Sequence, residues 1–358
     1  MRIDKPAIFI LLNTCLLILF IEAVSYGVLH KQGIDSSFLI NDPELPRESS
    51  NEERFRTLDP HLGYAHGADE NSVKNIGFNF TWVDGFVVYE KSPAALQHPV
   101  ILALGGSTTD GVRFGHSWPE DLSVLLKEKS IRATVVNGGT GGYSTSQELL
   151  KLIRDGLEFE PDIVISYSGI NDRGKYSIRF HPMVHSYQGK LLESLSKNTQ
   201  PKFLPSTITL LNKLLGNNSV DPIPFTYGVK SRMTLAQQYR KNMRIMKTIS
   251  TLYGAEFFGF IQPFAFYKSA HADDPELVAK GGGYKESVLA LYEEISKLPE
   301  EFPYIHDATQ ILEGHSHVYT TDGVHLEAEG DKVVAEYIFN VIEPAITRAD
   351  LSRRNSAL

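Results

Sequence analysis

The chain has 358 residues, 42% of them hydrophobic and 22% charged, a composition that excludes a disordered tail or a fibre and supplies ample material for a buried core. Lys and Arg number 35 against 43 Asp and Glu, a formal net charge of -8; a phosphate-backbone binder needs a basic face, so no nucleic-acid partner is expected. The lone cysteine, Cys15, rules out an intrachain disulfide and a cysteine-based zinc cluster.

From Ala7 to Val24 the sequence reads AIFILLNTCLLILFIEAV, preceded by Arg2 and Lys5 and interrupted only by Asn13, Thr14 and Glu22. A signal peptide has an apolar core of about 7–15 residues and a small-residue cleavage site, for which Ala23-Val24-Ser25 would serve. A spanning helix needs about 20 apolar residues, and Tyr26, Gly27, Val28 and Leu29 supply the remainder if Glu22 sits near the outer interface. The length favours an uncleaved anchor over residues 1–30, a single pass that makes the membrane a partner of this segment. The following domain is then periplasmic or extracellular, and secreted if the segment is cleaved. Leu12-Asn13-Thr14 lacks the small residue of a lipoprotein signal before Cys15.

Residues 31–98 show no sustained helical period. Pro43 and Pro46, a charged stretch through Arg56, and Gly63, Gly67, Gly77 and Gly85 among aromatics predict a linker followed by short strands or hairpins, a small cover preceding the main domain. From Val100 the pattern alternates. Val100–Leu104 reads as a strand buried on both faces. Ser117-Trp118-Pro119-Glu120 opens a helix with a capping box and an early proline. Thr134–Val136 is a second strand, and Thr145-Ser146-Gln147-Glu148 caps a second helix ending at Gly156. Ile163–Ile165 is a third strand. Thr234–Gln237 caps a longer helix, Phe257–Ile261 is a fourth strand, Tyr304 and Ile305 mark a fifth, and a last helix spans Ala328–Ile342. This alternation predicts an α/β fold with a mainly parallel, helix-covered sheet.

Such sheets carry their chemistry in loops at the carboxyl ends of the strands. Here those loops read Gly105-Gly106-Ser107-Thr108-Thr109, Asn137-Gly138-Gly139-Thr140-Gly141-Gly142 and Ser168-Gly169-Ile170-Asn171-Asp172. None completes the G-x-G-x-x-G of a dinucleotide site or the Gly-Lys-Ser/Thr of a P-loop, so no nucleotide cofactor is expected.

Nucleophilic acyl chemistry fits instead. A serine hydroxyl is inert at neutral pH unless an imidazole takes its proton, a carboxylate holds the imidazole and donors receive the oxyanion. Ser107 lies in a sharp glycine turn, and Thr321-Asp322-Gly323-Val324-His325 offers the carboxylate Asp322 and the imidazole His325 three residues apart. The candidate oxyanion donors are the backbone N–H groups of Ser107 and Gly142 and the side-chain amide of Asn171.

In these blocks the chain resembles the SGNH, or GDSL-type, serine hydrolases, membrane-anchored bacterial members in particular. Gly105-Gly106-Ser107 is similar to the serine block and Trp118-Pro119 to the segment behind it. Gly142, five residues beyond Asn137, matches the glycine block, Gly169-Ile170-Asn171-Asp172 the G-x-N-D block, and Asp322-Gly323-Val324-His325 the D-x-x-H block. Gly106 stands where the family usually has aspartate, and Leu326 where proline is common after the histidine. The resemblance covers about Pro99 to Ile342. It implies a flavodoxin-like three-layer α/β/α sandwich over residues 99–345, with an insertion at 173–233, and leaves 346–358 as a C-terminal tail. It also implies ester hydrolysis or acyl transfer without a cofactor.

His315-Ser316-His317 with Asp322 and His325 offers a competing zinc site, but that reading leaves the three glycine-rich strand ends unexplained, and no metal is expected. Two loops are candidates to wall a cleft. The insertion carries Tyr176, Phe180, Tyr187, Phe203, Phe225 and Tyr227; the segment from Gln262 to Gly283 carries Phe264, Phe266 and Tyr267. Aromatic faces stack on sugars. Combined with an extracytoplasmic location, they point to a carbohydrate or polysaccharide O-acyl group, acetyl foremost, removed by a serine esterase. The alternatives are an O-acetyltransferase with the same triad, a non-catalytic polysaccharide-binding scaffold, and a lipase or thioesterase.

Overall fold

A computed structural model describes residues 5–31, 56–59, 61–66, 81–89, 96–111, 115–173, 205–215, 232–273, 277 and 285–356. Its longer helices are α1 (Lys5–Lys31), α2 (Trp118–Glu128), α3 (Thr145–Arg154), α4 (Pro205–Leu214), α5 (Leu235–Leu252), α6 (Lys285–Ile295) and α7 (Ala328–Ser356). Its strands are β1 (Arg56–Asp59), β2 (Gly63–His66), β3 (Thr81–Val83), β4 (Phe86–Val88), β5 (Val100–Gly105), β6 (Thr134–Asn137), β7 (Ile163–Ser168), β8 (Glu256–Ile261) and β9 (Ile305–Asp307). Two compact units result, one of Met1–Glu48 with Gly189–Tyr227, the other of Ser49–Gln188 with Gly228–Leu358.

In the smaller unit, α1 pairs with α4. The first N–H groups of a helix lack intrahelical acceptors and attract negative charge. Glu22 of α1 meets that need in α4: the Ser206 N–H donates to Oε1 at 2.7 Å, while the Thr207 N–H and hydroxyl donate to Oε2 at 3.0 and 2.7 Å. Part of the expected insertion is thus bound to the N-terminal helix. Among the described residues no helix is long and apolar enough to cross a membrane; the side chains of Ala7–Leu12, the first part of the apolar run, lie outside them.

The larger unit holds a seven-stranded sheet in the order β3-β4-β6-β5-β7-β8-β9, parallel from β6 through β9. Counted along the chain, the parallel strands run second, first, third, fourth, fifth, the doubly wound order whose switch point lies between β5 and β7. Successive side chains of a strand face opposite sides. Val100, Leu102 and Leu104 accordingly join a core under α3, α5 and α6, while Ile101 and Ala103 join one under α2 and α7. This is the expected three-layer sandwich, with a mixed sheet.

Four local expectations are corrected. The hairpin β3–β4 extends the main sheet, with β4 antiparallel to β6, so the 98/99 boundary falls inside one unit; buried Phe86 and Val88 belong to its core. The N-cap of α3 is Ser144, whose hydroxyl donates to Gln147 Oε1 at 2.7 Å, because Thr145 is taken by Asp172. Ser117 precedes α2 without a side-chain cap, its hydroxyl lying 3.0 Å from the Tyr89 hydroxyl. Finally, α7 passes through Pro344 to Ser356, so the expected tail is mostly helix. Burial of Ala345 and Ile346 and the pairs Arg348–Glu256 (2.8 Å) and Arg353–Asp162 (2.9 Å) override the proline.

Candidate active site

β5 ends at Gly105, and the chain turns at once into a helical turn, Ser107–Asp110, in which the Thr109 and Asp110 N–H groups donate to Gly106 O at 3.1 and 3.0 Å. Both glycines are sterically required. A Cβ on Gly105 would lie 2.1 Å from Thr109 Oγ1, and one on Gly106 would lie 2.5 Å from Asn171 Nδ2. With Asn171 in this place there is no room for the aspartate usual at Gly106 in the resembling family.

The carboxylate and imidazole come from the loop before α7. Its shape is held by the Thr320 N–H on His325 O at 2.8 Å and by Gly323 at φ +70°. His325 Nε2 lies 2.7 Å from Ser107 Oγ, and His325 Nδ1 lies 2.5 Å from Asp322 Oδ2. The other Asp322 oxygen accepts from the Val324 and His325 N–H groups at 2.9 Å each and from the Thr320 hydroxyl at 3.0 Å. Burial by itself would raise the Asp322 pKa. The hydrogen bonds and charge of His325, with the two backbone donors, outweigh it and hold the carboxyl well below the usual range. The structure therefore brings Ser107, His325 and Asp322 into one hydrogen-bonded line.

A buried N–H needs an acceptor, and in the glycine-rich loop after β6 nearly every one has it. Gly138 donates to Ala103 O (2.8 Å), Gly139 to Asn137 Oδ1 (2.8 Å), Thr140 to Gly105 O (3.1 Å), Gly141 to Asp110 Oδ2 (2.8 Å), Tyr143 to Thr140 O (3.0 Å) and Ser144 to Gln147 Oε1 (3.3 Å). Among the described residues the Gly142 N–H alone in this run has no protein acceptor. Gly142 has φ +84°, and the next residue's carbonyl, Tyr143 O, accepts from Asn171 Nδ2 at 2.9 Å. Asn171 in turn packs against Gly106. Asn171 Nδ2 thus lies between Gly106 of the nucleophile turn and Tyr143 of the glycine loop.

Several residues at this site carried no signal in the motif blocks. Tyr64 and Asp110 bond the glycine loop at Gly141, and His66 bonds Asp110; Tyr64 and His66 share one face of β2, and Asp110 follows Ser107 by one helical turn. Asp172 of the G-x-N-D block instead holds the start of α3 at Thr145, its pKa pushed up to about 7 by burial despite those bonds. Glu148 is pushed up to about 8 by burial while accepting from Ser166 and Ser168.

The aromatic-cleft expectation is corrected for the second loop. Phe264, Phe266 and Tyr267 are core residues, with Phe264 and Tyr267 ring centroids 6.0 and 5.2 Å from Tyr292 of α6. Those of the insertion, Tyr176, Phe180, Tyr187, Phe203, Phe225 and Tyr227, lie outside the described residues. Among the described residues no group of three or more His, Cys, Asp or Glu side chains is placed to hold a metal ion; Asp322 and His325, donors in the zinc reading, bind each other.

Residues 103–333 match the model of the GDSL-like Lipase/Acylhydrolase family. No curated protein matches the chain. Among solved structures, an acetylxylan esterase from Geobacillus stearothermophilus is similar at 14% identity, over 70% of this chain and 94% of that one, with a TM-score of 0.41. A GDSL-like lipase from Bacteroides thetaiotaomicron is similar at 15% identity, over 69% of this chain and 89% of that one, with a TM-score of 0.37.

Proposed function

The chain belongs to the GDSL-like lipase/acylhydrolase family, ester-hydrolysing serine hydrolases, and from that membership we propose that it is a serine esterase removing O-acyl groups, acetyl foremost, from a carbohydrate. The observation that carries the mechanism is the unbroken line Asp322–His325–Ser107.

Ser107 Oγ attacks the ester carbonyl as its proton passes to His325 Nε2. Asp322 accepts from Nδ1 and stabilises the imidazolium. The tetrahedral oxyanion is received by the N–H groups of Ser107 and Gly142 and by the Asn171 amide. The C–O bond to the alcohol then breaks, His325 returns the proton to the departing oxygen, and the acyl group remains on Ser107. Water, deprotonated by His325, attacks this acyl-enzyme; the C–O bond to Ser107 breaks, His325 returns the proton to Ser107 Oγ, and the carboxylic acid is released. Every group required is supplied by the chain's own residues.

The carbohydrate assignment rests on a proposed extracytoplasmic location. The apolar run Ala7–Val24, read as a segment for export, would bring the catalytic unit to where acylated envelope or exported polysaccharides are found, and a net charge of -8 favours neutral over anionic polymers. Fluorophosphonate labelling tests the nucleophile: wild type labels and Ser107→Ala does not, and equal labelling would sink the serine reading. A chelator leaves activity unchanged. Acetate release from acetylated oligosaccharides, set against p-nitrophenyl esters of rising chain length, tests the substrate. A preference for long chains overturns the carbohydrate assignment in favour of a lipase, and transfer to an added sugar acceptor in place of acetate release identifies a transferase.

A further inference from the structure

We propose that His66 and Asp110 are positioning residues that fix the oxyanion-receiving loop, so that the N-terminal hairpin β1–β2 completes the active site; this rests on the serine-esterase reading of Ser107. Asp110 closes the helical turn that begins at Ser107, its own N–H donating to Gly106 O at 3.0 Å. Its two carboxylate oxygens point to different segments. Oδ2 accepts the Gly141 N–H at 2.8 Å, and Oδ1 lies 2.9 Å from His66 Nε2. An ionised carboxylate only accepts, so Nε2 carries the hydrogen of that bond. One side chain therefore joins the nucleophile turn, the glycine loop and the hairpin.

The hairpin also holds the next peptide unit, Gly141–Gly142. The Tyr64 hydroxyl donates to Gly141 O at 2.5 Å, and the Tyr143 hydroxyl donates back to Tyr64 O. A Cβ on Gly142 would meet the Tyr64 hydroxyl at 2.5 Å. Gly141 is thus bonded at N–H by Asp110 and at C=O by Tyr64, which fixes the peptide units on both sides of it, and the Gly141–Gly142 unit carries the Gly142 N–H. The pair is well shielded, His66 and Asp110 side chains being 4% and 9% exposed, so these bonds do not exchange freely with water.

An oxyanion donor acts only if it is aimed at the developing charge before the reaction, and a misplacement of about 1 Å costs on the order of 10²-fold in rate. Loss of the clamp therefore lowers kcat and spares KM. The test uses the full chain with p-nitrophenyl acetate as substrate and benzeneboronic acid as a probe that forms a tetrahedral adduct on serine. Asp110→Ala and His66→Ala are expected to lose about 10²-fold in kcat with little change in KM, and to lose boronate affinity in parallel. His66→Gln, whose amide can donate to Asp110 Oδ1, restores most of both. Tyr64→Phe, which removes only the hydroxyl, gives a smaller loss of the same kind should the alanine variants fail to fold. Unchanged kcat and boronate affinity in the folded variants, or a His66→Gln as impaired as His66→Ala, overturns the clamp. Ser107→Ala separates the two ideas: residual activity there defeats the esterase reading itself, whereas an inactive Ser107→Ala beside a fully active Asp110→Ala defeats only the clamp.

Discussion

His325 Nε2 and Ser107 Oγ stand 2.7 Å apart although 218 residues separate them in the chain. Ser107 is delivered by the end of β5 and His325 by the loop before α7. If this contact is the proton path, Ser107→Ala abolishes ester hydrolysis, and Asp322→Asn, which leaves the imidazole in the wrong tautomer, lowers kcat by about 10⁴-fold. Steady-state kinetics on a short-chain p-nitrophenyl ester reads both. A residual rate in Ser107→Ala near that of wild type contradicts the path.

Asp322 also predicts an acid-dependent contribution to stability. Its folded pKa is depressed, so the stabilisation is complete above the unfolded value and disappears as pH falls through the folded one. Wild type is therefore more stable than Asp322→Asn at pH 7, and the gap narrows as the solution is acidified. Thermal melts of the two proteins across that range should converge, and a gap that widened in acid would refute the assignment.

Glu148 behaves in the opposite sense. Burial raises its pKa from 4.5 to about 8, so the folded state holds a proton that the unfolded chain gives up, and stability falls as pH rises between those values. Glu148→Gln keeps a neutral group that can bond Ser166 and Ser168. It is expected to melt higher than wild type at pH 8 and equally at pH 4.5, and equal melting temperatures at both would show the carboxyl to be ionised without penalty.

Gly142→Ala tests the oxyanion loop directly. At φ +84° an L-residue carries about 1–2 kcal/mol of strain, and the new Cβ would meet the Tyr64 hydroxyl at 2.5 Å. Turning the peptide to relieve both misdirects the N–H. The expectation is a loss of about 10²–10³-fold in kcat in a protein whose circular dichroism is native. Full activity would remove Gly142 from the site.

Deleting residues 343–358 tests the extended α7. The deletion uncovers the apolar surface around Ala345 and Ile346 and breaks Arg348–Glu256 and Arg353–Asp162, together about 3 kcal/mol. A fall in melting temperature of about 5–10 °C follows, and no change would make the segment dispensable.

What could be read from the residues was what local chemistry dictates. The apolar runs Val100–Leu104 and Ile163–Ile165 could only be strands buried on both faces, the Thr234–Gln237 box forms as its spacing requires, and the glycine turns mark the strand ends that carry Ser107, Gly142 and Asn171. The pairing of Asp322 with His325 was legible because three residues of one loop place them side by side. Tertiary structure decided whatever depends on competition between distant partners. Thr145 is not a cap because Asp172 claims it, the Ser117 side chain makes no cap bond because its hydroxyl lies against that of Tyr89, and Pro344 does not end α7 because buried side chains and two arginine pairs lie beyond it. Phe264, Phe266 and Tyr267 carry the composition of a sugar-binding rim, yet they are buried in the core, Phe264 and Tyr267 against Tyr292 of α6 and Phe266 against Phe264. His66 and Tyr64 have no motif at all; only folding of the hairpin against the glycine loop brings them to Asp110 and Gly141. Sequence spacing specifies contacts made within a few residues, whereas contacts across 44 or 77 residues exist only once the sheet and the hairpin have closed around the same loop.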